Sequence, residues 1–115
     1  MKISLLAAGV ALACCAASAQ AAVPDIDTTQ GDLVCTALLD IAFHGASAAK
    51  APSPEVVTPI LAAFTYFIGR LSQAEPTATK EAALQAAAKL TPQEKTAFGT
   101  ACMKKSGPAL GAFLR

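Results

Sequence analysis

The sequence predicts an all-α fold, a small bundle of four or five helices with one disulfide between the first and fourth. Three observations predict it. Apolar residues recur at spacings of three and four rather than two. Serine and threonine cap signals stand before each apolar stretch. Two cysteines, Cys35 and Cys102, remain once an N-terminal leader is set aside.

The leader is read first because it decides which residues fold. Lys2 is followed by an uncharged apolar run from Ile3 to Ala13, and Ala19-Gln20-Ala21 offers small residues at the alternate positions a signal peptidase accepts. A cleaved signal peptide over 1–21 and a single helical domain over 22–115 are expected. Two other readings of the leader are an uncleaved anchor and lipid attachment at Cys14. The apolar run is short of the roughly 20 residues that a span needs, and Leu12 lies one place too near Cys14 for lipoprotein processing. Export puts the mature chain in the periplasm or the medium, where thiols oxidise. Removal of Cys14 and Cys15 with the leader leaves Cys35 and Cys102 one possible pairing. Closing so long a loop restricts the unfolded chain by about 4 kcal/mol, which matters in a domain too small for a large core.

Within the domain, Val23 to Thr28 reads as an extended lead-in. Thr29 with Asp32 three residues on resembles a capping box, opening a first helix from about Gln30 to His44 or slightly beyond, with Gly45 as its stop. Leu33, Val34, Ala37, Leu38 and Ile41 mark one side of that helix, and Leu39 and Phe43 a second. Ser53-Pro54-Glu55 supplies a cap, a proline at the first helical position and an acid in the first turn, although Thr58-Pro59 is an alternative start. The second helix that follows has the clearest apolar arc, running through Val56, Val57, Ile60, Leu61, Ala63, Phe64, Phe67, Ile68 and Leu71. Thr58, Ala62, Thr65 and Gly69 make a small-residue stripe on it, where another backbone has room to approach. Pro76 ends the helix. Thr77 or Thr79 caps an alanine-rich third helix from about Lys80 to Leu90. Thr91-Pro92-Gln93-Glu94, a capping box with proline at the first position, starts a fourth to about Ser106, with Ala97, Phe98, Ala101 and Cys102 on one face. Gly107-Pro108 reads as its stop, and Ala109 to Leu114 as a last turn that carries Leu110, Phe113 and Leu114 onto the core.

Chemistry is sparse. With Lys2 removed, eight acidic and eight basic side chains balance, so no long-range field draws in nucleic acid or an anionic membrane. His44 is the only histidine, and Asp40 lies one helical turn before it. The pair reads as a surface pair near a helix end, since no serine or cysteine motif ties a nucleophile to it. One histidine without Cys-x-x-Cys or clustered acids does not make a metal site, and no glycine-rich loop marks a phosphate or cofactor. The catalytic, metal and cofactor expectations are therefore all none.

A small exported helical domain with one long-range bridge, Cys35 to Cys102, resembles the periplasmic acid-stress chaperones of the HdeA type. The resemblance covers size, export, helical content and disulfide count, and departs in that the family's cysteines lie closer together in sequence. It implies an acid-triggered binder of unfolding proteins. The segment Phe64-Thr65-Tyr66-Phe67-Ile68-Gly69-Arg70-Leu71 is similar to small exported bacterial proteins without an assigned activity, and that similarity implies none.

Two functions stay open. The first is a non-enzymatic interaction module that binds apolar protein surface, chaperone-like, through the face Val56, Ile60, Phe64, Phe67, Ile68 and Leu71, with an unknown protein as partner. The second is a carrier of a small apolar ligand or lipid in a cavity among Leu38, Phe64, Phe67 and Leu71.

Overall fold

A computed structural model of the chain describes residues 23–114. The signal peptide expected over 1–21 lies outside the described residues, as do the side chains of Phe113 and Leu114. Among the described residues all regular structure is helical, in four elements: α1 (Thr29–Ser47), α2 (Pro54–Ala74), α3 (Lys80–Ala88) and α4 (Pro92–Leu114). Helix α1 is central and packs against the other three, while α2 also packs against α4.

Local chemistry sets the helix starts, in places one residue from the expected one. At α1 the cap is Thr28, whose hydroxyl accepts a hydrogen bond from the Gly31 N–H at 3.1 Å. The capping box expected at Thr29 and Asp32 does not form, because the Asp32 carboxylate turns inward to Arg70. Gly45 does not stop α1; the helix runs on to Ser47, and no Cβ contact or positive φ makes glycine necessary there. Helix α2 starts at Pro54 and carries Pro59 inside it. The Ser53 hydroxyl donates to Glu55 Oε2 at 2.6 Å rather than serving a backbone amide. Thr79 caps α3 by accepting from the Ala82 N–H. The Thr91 box is complete: Thr91 N–H donates to Glu94 Oε1 at 2.8 Å, and Glu94 N–H to Thr91 Oγ1 at 3.1 Å.

Helix α4 corrects the expected stop at Gly107-Pro108, since both residues lie within one continuous helix. Proline deletes one donor and collides with the preceding turn, but Pro108 and Lys104, whose carbonyl loses its partner, are both exposed, so that carbonyl is open to solvent. Leu110 is half-buried.

The core is Leu33, Val34, Ala37 and Leu39 of α1 against Ala63, Phe67 and Leu71 of α2, with Ala83, Ala86, Ala87 and Leu90 closing one side and Phe98 the other. The Cys35–Cys102 disulfide spans a sequence separation of 67 and joins α1 to α4, with both cysteines fully buried. On α4 the inward face is Phe98, Cys102 and Ser106; Ala97, expected there, is exposed. No neighbour approaches the Gly69 end of the stripe on α2, for a Cβ there meets nothing within 4 Å. The close approach is at Gly31 instead, where an added Cβ would collide with the Asp25 carbonyl oxygen and meet the Ile26 backbone at 2.9 Å.

Candidate functional site

The alanines that bring α3 close to α1 also leave space beside them. Ala37 of α1, Ala78 before α3 and Ala83 within α3 cannot reach the side chains opposite, and an apolar groove of about 240 Å³ results. Phe64, Ile68 and Leu71 of α2 form its far wall, and Leu84 extends the α3 side. Its polar lining residues come from α1 and the start of α3: Thr36 and Asp40, Thr79 and Lys80. The Thr36 hydroxyl is already committed to the Asp32 carbonyl at 2.8 Å.

Asp40 anchors this rim. Its carboxylate is 16% exposed and meets Lys80 Nζ at 3.4 Å and His44 Nε2 at 3.1 Å, whereas those two partners are 62% and 65% exposed. The carboxylate is thus the partly desolvated member, and the two partners reach it from solvent-exposed positions. The Asp40–His44 pair expected from the sequence is formed, and Lys80 is the partner that sequence spacing did not reveal.

The six residues expected to form one apolar face are divided by the fold. Phe64, Ile68 and Leu71 share the groove. Phe67 is wholly buried in the core, its ring edge-on to Tyr66 at 5.0 Å between centroids, so it cannot line a surface in this state. Val56 stands out in solvent. Ile60 lines a separate hollow with Leu38, Leu39, Gly99 and Met103, between α1, α2 and α4. The cavity expected among Leu38, Phe64, Phe67 and Leu71 is therefore corrected to a groove that keeps Phe64 and Leu71 and excludes Leu38 and Phe67. Comparison with protein-family models, curated proteins and solved structures finds no match to this chain.

A second polar cluster lies on the other side of α1. Asp32, 3% exposed, accepts from Arg70 Nε on both oxygens at 3.3 and 3.2 Å, and Lys105 Nζ lies 3.6 Å from its Oδ1. Lys105 also donates to the Ile26 carbonyl at 2.8 Å and pairs with Asp27 at 3.4 Å. The hydrogen bond to Asp32 holds the Arg70 guanidinium above its ordinary pKa, and its carbon centre sits 5.9 Å over the Tyr66 ring. This cluster ties α1, α2, α4 and the lead-in together, and each of its charges is paired within it, which makes it structural. Among the described residues no group of three or more His, Cys, Asp or Glu side chains is placed to hold a metal. No described helix is long and apolar enough to cross a membrane.

Proposed function

We propose that the protein is a non-enzymatic carrier of a small apolar ligand, bound in the groove between α1, α2 and α3. The observation that supports this reading is the groove itself, whose walls are Phe64, Ile68, Leu71 and alanine methyls and whose two charged lining residues, Asp40 and Lys80, pair with each other. Its volume of about 240 Å³ exceeds the roughly 150 Å³ that accommodates benzene and falls below the range of drug-sized sites. It therefore suits one short alkyl chain. The disulfide is consistent with an oxidising setting such as the periplasm or the medium.

A second reading is an interaction module for apolar protein surface, in the manner of the acid-stress chaperones. Its support is that Val56, Leu61 and Ile68 of α2 are all more than 40% exposed. Burial of Phe67 and Leu71 means that this module would use the whole apolar face only if α2 lifted from α1. Native mass spectrometry of protein taken from its own compartment separates the two. A small ligand retained on the monomer supports the carrier. Ligand-free protein that self-associates through α2 sinks it and favours the interaction module.

A further inference from the structure

The rim of the groove carries more information than its walls. Apolar walls accept any hydrocarbon, but the head group of a bound amphiphile meets Asp40 and Lys80, the charged residues of the lining, with His44 paired to Asp40. Of these, only Asp40 is held in place by burial. Lys80 stands at the first position of α3 and His44 in the last turn of α1, and both reach Asp40 from solvent.

Resting on the carrier reading, we propose that the ligand is a single-chain amphiphile with a protonated amine head, its chain lying on Phe64, Ile68 and Leu71 and its ammonium on Asp40. An ammonium placed there displaces Lys80 from Oδ2 and reproduces the ion pair that Asp40 already makes. Lys80 returns to water at little cost because it is already mostly exposed. A carboxylate head would instead have to draw Lys80 away and leave Asp40, in its partly desolvated position, facing a second anion. A neutral alcohol would gain the apolar walls and a weaker hydrogen bond.

The test is isothermal titration of the full folded protein near pH 7.5 with octylamine, octanol and octanoate, which share one chain length. Octylamine should bind at least ten-fold more tightly than octanol, and octanoate more weakly than either. Asp40→Asn should bring octylamine down to the affinity of octanol. Lys80→Ala, which removes the competing ammonium at an exposed helix position that favours alanine, should tighten octylamine two- to five-fold. Circular dichroism of both variants checks that the helices persist, and Lys80→Ala alone keeps the proposal testable if Asp40→Asn does not fold. Tightest binding of octanoate, weakened by Lys80→Ala, would overturn the amine assignment and leave the carrier standing. Equal binding of all three would also overturn the amine assignment. Absence of binding by all three would overturn the carrier reading itself.

Discussion

At residue scale the Asp32 cluster is the costliest feature to disturb. A carboxylate at 3% exposure is tolerable only because cations and hydrogen bonds replace its water. Arg70→Ala withdraws the principal donor and leaves Lys105 alone beside the anion. We expect a loss of about 2–3 kcal/mol in urea unfolding, with Arg70→Lys recovering only part, since a lysine cannot present Nε between the two oxygens. If Arg70→Ala costs less than 0.5 kcal/mol, the cluster is a surface feature and the burial of Asp32 is compensated elsewhere. Gly31 is a steric requirement of a different kind. Its φ is negative, so it is not needed for conformational freedom. It is needed because the Asp25–Ile26 backbone passes where a Cβ would sit. Gly31→Ala should therefore cost about 1–3 kcal/mol by overpacking, seen as a lower urea midpoint with an unchanged slope. Asp32 and Arg70 were invisible as a pair in the sequence because they lie 38 residues apart on different helices. Their meeting depends on how α1 and α2 are rotated about their axes, which spacing within one helix does not report. Asp40 and His44, one turn apart on the same helix, were visible for the converse reason.

At the scale of elements, starts were more legible than stops. Thr79 and the Thr91–Glu94 box are satisfied by bonds within three residues, so the sequence contains both partners. Gly45 and Gly107-Pro108 looked like stops, yet both helices continue, because a helix ends where continuing costs more than its remaining packing and solvated turns supply. At Gly107 no neighbour lies within 4 Å of an added Cβ, which leaves only the intrinsic cost of glycine in a helix. Gly107→Ala should raise stability by about 0.5–1 kcal/mol and deepen the helical circular dichroism signal. A loss of stability would mean that α4 breaks near Gly107 in solution, as the sequence alone suggested. The face of α2 shows the same limit: its arc is real, but the neighbours cover only part of it, and the uncovered part is what makes a groove. Apolar periodicity identifies a helix that packs, and it does not say how large the partners are. Here α3 presents alanine where larger side chains would have filled the space.

At the scale of the whole molecule, the disulfide and the charge balance govern how the bundle comes apart. The Cys35–Cys102 link closes a 67-residue separation, worth about 4 kcal/mol in the unfolded chain. Reduction should lower the melting temperature by roughly 15–30 °C. A shift below about 5 °C in the reduced protein would show that helix packing alone holds α1 to α4. Acid acts on the same bundle through charge. The Ser53 hydroxyl holds the Glu55 carboxyl below its ordinary value of 4.5, so what Glu55 adds to stability is present above that value and is lost as the pH falls through the lower folded value. Arg70 has its pKa raised; its contribution is complete below the ordinary arginine value and adds no slope in acid. Below about pH 4.5 the loss of carboxylate charge therefore dominates. At pH 2.5, below the ordinary carboxylate range, the net charge of residues 22–115 would approach roughly +9 from eight basic side chains and one histidine. A net positive charge of this size strains the compact bundle through self-repulsion, while the disulfide still ties α1 to α4. Helix α2, outside that tie, is the element that should loosen, uncovering Phe64, Phe67 and Leu71 together for the first time. We expect an apolar dye to bind more strongly at pH 2.5 than at pH 7, near-UV circular dichroism to fall, and aggregation of an acid-unfolded client to slow. Phe64→Ser with Phe67→Ser should abolish that protection, in a variant first shown to fold at pH 7. If near-UV dichroism is retained at pH 2.5 and client aggregation is untouched, the bundle does not open in acid, and the chaperone reading gives way to the carrier reading.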